Sequence, residues 1–366
     1  MSFKEDLLDI LVNSSCNYYV SNLDLLYYES YLKKQEKFFS LEKIKAFFIR
    51  NFSKLIPKKY LKRKFYQLYI KNLKYDCDFL YDNLIRQEDK LLLLKIIAYK
   101  ILGYKKVCLT NFEIHNKLEQ DAKKYIHFDD YIWVLSENYK YKLYKIDFKP
   151  KDYQLYSNML QYVSVINENA YSIPGLFYIK EGDYVFDCGA FVLDNTIPFA
   201  DIVGEEGKVF AIEFIPCNLA VCYANLKLNQ KLKDRIELIT APISEKVGET
   251  LYFKENSSCS TLTKNMQQAK KFISTTIDEI VEKKKIKKVD FIKMDIEGSE
   301  IFALKGAKKT ILKYKPKLAI SFYHRPGDFE EIPHIIKSYD NNYKFYISYS
   351  GCSDSEYILC AQIEKN

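Results

Sequence analysis

The distribution of chain breakers constrains this sequence more than any other feature. Glycine is absent until Gly103, and Pro57 is the only proline before Pro150. Then Gly175, Gly182, Gly189, Gly204 and Gly207 arrive in quick succession. A stretch poor in breakers favours long helices joined by short polar turns. Residues 1–110 carry the matching period: Leu7, Leu8, Leu11 and Val12, then Leu41, Ile44, Phe47 and Phe48, recur at three- and four-residue spacing. A mainly helical N-terminal region is therefore expected. Residues 111–170 are Tyr-rich and mixed, with a strand expected over 131–135, and read as a connector with structure of its own.

After Tyr171 short β-branched runs alternate with helical ones. Strands are expected at 184–187, 209–214, 236–241, 289–295 and 318–323, with helices at 195–203, 216–229, 299–314 and 328–338. Alternation of this kind means parallel strands with crossover helices on both faces of one sheet. Two last runs, 343–349 and 357–362, follow without a helix between them and suggest a hairpin at the sheet edge. The expected division is thus 1–110, 111–170 and 171–366.

The bulk numbers fit a globular chain. At 366 residues there is room for two cores, and 48% hydrophobic with 28% charged residues excludes wholesale disorder. No apolar run approaches the roughly 20 residues that span a bilayer; the strongest, 91–99, is interrupted by Lys95. Met1 to Ile10 carries Glu5, Asp6 and Asp9 where a secretory signal would be basic and then apolar. Nine cysteines, an odd number without a CxxC pair, suit reduced thiols. A cytoplasmic protein is expected.

The chemistry sits at strand tips. In an open α/β sheet a ligand lies beyond the carboxyl ends of the strands. The first loop, DCGAFVLDNT at 187–196, ends a strand at Asp187 and turns at Gly189. Gly189 lets backbone approach a ligand, and Asp187 offers a carboxylate to a cationic amine. One glycine, where a dinucleotide fingerprint has three, leaves little provision for a pyrophosphate. Glu213 ends the next strand, where a carboxylate can grip both hydroxyls of a ribose. A third tip, FIKMDIEGSE at 291–300, delivers Asp295 and Glu297 to the same rim. Two carboxylates there could position a substrate, hold a metal or take a proton.

Taken together, DCGA at 187–190, EFIP at 213–216, FIKMDIEGSE at 291–300 and LKGA at 304–307 resemble the FkbM-type methyltransferases. Smaller echoes are STTID at 274–278 and Tyr323-His324-Arg325 followed by Asp328. The resemblance covers about 171–362. It implies a class I methyltransferase fold with a Rossmann-like sheet, S-adenosylmethionine as cofactor, and oxygen as the usual acceptor atom. It places Asp187, Gly189, Ala190, Asp194, Thr196, Glu213 and Phe214 at the cofactor. Where such loops often carry a second glycine, this chain has Leu193 after Phe191 and Val192, and a narrowed pocket is expected.

Methyl transfer needs alignment of nucleophile, methyl carbon and sulfur, and a neutral alcohol must lose its proton as the bond forms. His324, just past a strand end on the rim of Asp295 and Glu297, is the expected general base; Asp295 is its rival, or orients the acceptor. The four histidines, His115, His127, His324 and His334, show no HxxxH spacing, so no metal is expected.

Net charge is +8, and residues 1–110 hold 21 basic against 12 acidic side chains. The excess lies in 43–74, where basic residues interleave with Phe47, Phe48, Phe52, Tyr60, Phe65, Tyr66 and Tyr69. Such a stretch can be a solvated helical face, or can dock on an anionic membrane surface. The expected function is O-methylation of a small or glycan-type acceptor, with nucleic acid an unfavoured partner. An RNA methyltransferase with a basic arm and a non-catalytic binding module are the alternatives.

Overall fold

The computed structural model describes residues 2–15, 17, 57–103, 106–109, 117, 120–135, 140–149, 151–158, 171–254, 261–262, 269–349 and 355–364. The expected helical repeat from Leu41 to Phe48 lies outside them. Among the described residues, 2–103 form helices at Phe3–Ser15, Lys58–Phe65, Asp78–Asn83 and Gln87–Leu102. Glu88 and Asp89 in the first turn of Gln87–Leu102 favour its positive end, and Gly103 closes it at φ 83°. Leu7, Leu11, Phe65, Leu93 and Ile97 are fully buried in the same core as Phe186, Ile292 and Leu318 of the central sheet. These helices therefore cover one face of the sheet rather than standing apart. No helix among the described residues is long and apolar enough to cross a membrane.

The segment read as a connector contains a three-stranded antiparallel sheet: β1 (Ile126–Leu135), β2 (Lys140–Phe148) and β3 (Tyr153–Ser157). It is fastened to the helix Pro216–Leu228 by side-chain amides. Asn225 Oδ1 accepts from Tyr156 N at 2.7 Å, and Asn229 Nδ2 donates to Gln154 O at 2.7 Å. Two asparagines thus stand in for a neighbouring strand and satisfy an edge that would otherwise expose its backbone.

The large sheet contains β4 (Tyr184–Cys188), β5 (Lys208–Ile212), β6 (Ile236–Ile239), β10 (Phe291–Met294), β11 (Lys317–Ser321), β12 (Lys344–Tyr349) and β13 (Tyr357–Gln362). A second small sheet lies between β6 and β10 in sequence: β7 (Thr250–Lys254), β8 (Thr261–Leu262) and β9 (Lys270–Ile273). The order of the large sheet is β12-β13-β11-β10-β4-β5-β6, parallel from β11 to β6. This is the expected α/β sheet, with the strand order reversing between β4 and β10.

One local expectation holds and two need correction. The final hairpin lies at the sheet edge as expected, with β12 outermost and β13 between β12 and β11, antiparallel to both. All six of its residues are buried, so the last strand belongs to the core. The helix expected over 299–314 is two, Glu300–Lys305 and Lys308–Tyr314. They part at Gly306, where a Cβ would stand 2.0 Å from Ser244 O, so the helix end can approach that loop only as glycine. Apart from β4, which runs one residue further to Cys188, the parallel strands also stop one or two residues before the expected carboxyl ends. The tip residues leave the ladder and turn outward, and there they build the site.

Candidate active site

The carboxyl ends of β4, β5 and β10 open on a cleft, where an open α/β sheet places its ligand. Gly189, Glu213, Phe214, Asn218, Asp295 and Glu297 are on its wall. Gly189 has φ 83°, and a Cβ there would stand 1.9 Å from Asp295 O. Only glycine lets the β4 loop pass so close to the β10 tip. Gly189 N and Ala190 N both donate to Ile212 O, which pins the loop to β5.

Asp187 is not on the wall. Its carboxylate is fully buried behind the loop, 3.0 Å from Lys293 Nζ and accepting from Thr196 Oγ1 at 2.5 Å. Lys293 also donates to Gly189 O at 2.7 Å. The expected contact of Asp187 with a cationic amine is thus replaced by an internal cation from the neighbouring strand. Ala190, Asp194 and Thr196 are buried as well and support the loop from behind. Burial, partly offset by Lys293, pushes the Asp194 carboxyl up to about 7.

Leu193 has φ 68°, the left-handed conformation that favours glycine. Its side chain points into the core beside Ala190, Ile197 and Ala200, not into the cleft. The expected narrowing by Leu193 is absent; Phe191, at φ 48°, is the bulky loop residue on the wall.

Glu213 lies where the strand-tip reading put it. Its Oε1 accepts from the backbone N–H of Phe214 and Ile215 at 2.6 and 2.7 Å, and Oε2 accepts from Asn218 Nδ2 at 3.2 Å. Burial raises its carboxyl to about 7 against these three donors. Phe214 packs edge-on against Phe253 and Phe272, with centroids 4.7 and 4.9 Å away. Phe253 belongs to β7 and joins the apolar wall with Ile212, Pro242 and Ile243. This half of the cleft is flat, aromatic and bordered by one carboxylate.

The other half is acidic. Asp295 Oδ2 accepts from Tyr171 OH at 2.7 Å, and Oδ1 accepts from Tyr323 OH at 3.2 Å. Burial alone would raise Asp295, but the nearby Lys293 and His324 cations hold it below the ordinary carboxylate range. Glu297 adopts φ 56° and is followed by Gly298 at φ 90°, a left-handed pair that turns the chain off β10. His324 is brought to the same place: Nδ1 lies 3.0 Å from Glu300 Oε1, and Nε2 lies 3.5 Å from Asp295 Oδ1 and 3.7 Å from Glu297 Oε2. Burial would lower the imidazole, yet the surrounding carboxylates, Glu300 foremost, raise it to about 9. A ring held protonated at neutral pH accepts no proton, so His324 by itself does not fit the expected part of general base.

With this geometry in place, the comparisons are decisive for one stretch. Residues 187–345 match the family model described as the methyltransferase FkbM domain. The chain carries an FkbM methyltransferase domain. That family implies S-adenosylmethionine as the cofactor. A solved structure similar to the chain is the methyltransferase FkbM from Methylobacillus flagellatus KT, 19% identical with a TM-score of 0.50. The match covers 77% of this chain and 57% of that one, so this chain spans little more than half the length of that relative. Fibrillarin from Aeropyrum pernix, with natively bound S-adenosyl-L-methionine, is 13% identical at TM-score 0.33, over 50% of this chain and 67% of that one. No curated protein matches.

The cleft of the FkbM domain fits the cofactor on its own terms. Glu213 offers a carboxylate suited to a ribose diol, the Phe214–Phe253 wall suits a flat base, and the β4 loop with Gly189 leaves room that a Cβ would fill. Lys293, Asn218, Phe253 and Tyr171 escaped the strand-tip reading. Only Lys293 carried a signal: a charge inside an otherwise apolar strand must be paired.

Proposed function

We propose that this chain is an S-adenosylmethionine-dependent methyltransferase that methylates a hydroxyl of a small or glycan-type acceptor. The observation that carries the reading is that one cleft joins an aromatic, carboxylate-bordered half to a rim of Asp295, Glu297 and His324.

When bound, the cofactor supplies a methyl group on a sulfonium. The residues here do the rest. Glu213 and Asn218 fix the ribose, and Phe214 and Phe253 flank the base. Asp295, oriented by the Tyr171 and Tyr323 hydroxyls, faces the acceptor hydroxyl and takes up its proton. Glu297 and His324, on the same rim, would orient the acceptor beside Asp295. A polyhydroxylated, uncharged acceptor suits this rim. The Asp295 and Glu297 carboxylates repel phosphate, which disfavours an RNA acceptor.

The basic stretch remains a candidate for docking on an anionic membrane from the cytoplasmic side. In its described part Lys58, Lys59, Lys62 and Arg63 are exposed beside exposed Tyr60 and Tyr66. Leu61 and Phe65 face inward. Sedimentation with anionic vesicles at low salt tests this, and indifference to lipid charge overturns it.

The main test is calorimetric titration with S-adenosylmethionine, followed by transfer of labelled methyl to a panel of sugars and other alcohols. Binding that is lost in Glu213→Ala, together with label on oxygen, supports the proposal. Absence of binding by folded protein, or label on nitrogen or carbon, overturns it.

A further inference from the structure

His324 poses a problem that acceptor alignment does not solve. Its side chain is only 10% exposed, and neither ring nitrogen meets a hydrogen-bond partner in good alignment. Its Nε2 is nevertheless aimed at two carboxylates, 3.5 Å from Asp295 Oδ1 and 3.7 Å from Glu297 Oε2. These separations are too long for N–H···O bonds. They are close to the spacing of two ligands on one small cation. With metal–ligand bonds of about 2.0–2.2 Å and a tetrahedral angle, neighbouring ligands stand roughly 3.3–3.6 Å apart.

The opposite side of the ring supports the same reading. Nδ1 lies 3.0 Å from Glu300 Oε1, and Glu300 is 1% exposed and held by the Ile296 N–H at 2.9 Å. A histidine that binds a metal through one nitrogen characteristically gives the other N–H to a carboxylate, which fixes ring and tautomer. One oxygen each of Asp295 and Glu300 and one nitrogen of His324 lie within 4.8 Å of one another. Asp295 and Glu297 also line the cleft, so a cation there would face whatever occupies it.

We propose that His324 Nε2 and Asp295 Oδ1, completed by Glu297, bind a first-row divalent cation at the acceptor end of the cleft. Glu300 is the positioning residue that orients the imidazole. One imidazole with two carboxylates suits manganese(II), iron(II) or zinc(II) better than a thiolate-seeking ion. The positions left open face the cleft and favour an acceptor with two neighbouring oxygen donors, such as a vicinal diol. A hydroxyl bound to the cation would lose its proton more easily, to solvent water at the open side of the cleft, and Asp295 then serves as ligand. This last step rests on the O-methyltransferase reading; the cation site does not.

The test uses the full chain with manganese(II) alone. Loss of the free-ion electron-spin-resonance signal measures binding, and spin-echo modulation reports a coordinated imidazole nitrogen. One bound ion per chain is expected, with the nitrogen modulation absent in His324→Gln. Glu300→Gln should weaken binding roughly 10–100-fold, as loss of a carboxylate behind a metal-bound histidine does. Thermal denaturation, together with calorimetric binding of S-adenosylmethionine, shows that each variant is folded. No binding at millimolar manganese, or equal binding in wild type and His324→Gln, overturns the site. Either result leaves cofactor binding and methyl transfer to be judged separately.

Discussion

Lys293 Nζ lies 3.0 Å from Asp187 Oδ1, and both side chains are almost wholly removed from solvent. The pair ties β10 to β4, and through Lys293 Nζ to Gly189 O at 2.7 Å it also sets the cofactor loop. Breaking a buried ion pair from one side leaves an uncompensated charge. Lys293→Met should therefore cost about 3–5 kcal/mol of stability in urea denaturation. Adding Asp187→Asn should recover much of that loss, because the stranded charge is gone and Thr196 keeps an acceptor. A loss below about 1 kcal/mol in the single variant would show that the pair carries no structural weight.

The same pair shows what the sequence could and could not reveal. Asp187, Glu213 and Asp295 stand at strand tips because short apolar runs end there, and periodicity places the tips within a residue or two. What each carboxylate faces is another matter. Tyr171 reaches Asp295 across 124 positions, and Glu300 reaches His324 across a loop between different elements. No spacing rule contains such contacts. β7 and β9 escape the sequence pattern because they are four or five residues long with little apolar alternation: Phe253 is the one buried residue of β7, and β9 has none. Yet β7 brings Phe253 to the cleft.

Leu193 sets backbone strain against burial. A left-handed conformation costs a residue with a Cβ roughly 1–2 kcal/mol, while fully burying a leucine returns about 1.5–3 kcal/mol. Leu193 is 0% exposed, so burial should win. Leu193→Gly should destabilise the protein by about 1–3 kcal/mol through the cavity it leaves. Affinity for S-adenosylmethionine should stay nearly unchanged, because the side chain is off the cleft. Calorimetry on the folded variant checks this; a large gain in affinity would mean that Leu193 does obstruct the site.

Glu213 makes cofactor binding depend on pH. Its folded carboxyl titrates near 7, against 4.5 when unburied. The sign follows from which form each state prefers. The cofactor-free fold favours the protonated acid, so this group's contribution to stability is complete below about 4.5 and is lost as pH rises through 7. Ribose hydroxyls donate to the ionised form, so affinity should rise from pH 6 and level off above 7. One proton is involved, which sets a limit of about tenfold per pH unit on the acid side. Glu213→Gln should flatten the profile. A wild-type affinity independent of pH between 6 and 8 would contradict this placement of Glu213.

Asp295→Asn separates chemistry from binding. The amide is nearly the same size and still accepts from Tyr171 and Tyr323, so the fold should survive with a small loss of stability. It cannot take up a proton at neutral pH, and it is a weaker partner for a cation than a carboxylate. Turnover should fall about 10²–10⁴-fold, the usual scale for losing a positioned proton acceptor. The adenosyl half of the cleft lies on β5 and β7, away from Asp295, so the dissociation constant for S-adenosylmethionine should change only a few-fold. The pH profile adds a second readout. If Asp295 is the group that titrates in turnover, the acid limb of the wild type lies below the ordinary carboxylate range, since Lys293 and His324 outweigh burial. That limb should vanish in the variant. Full turnover with an unaltered limb would move the proton acceptor elsewhere on the rim, to Glu297 first.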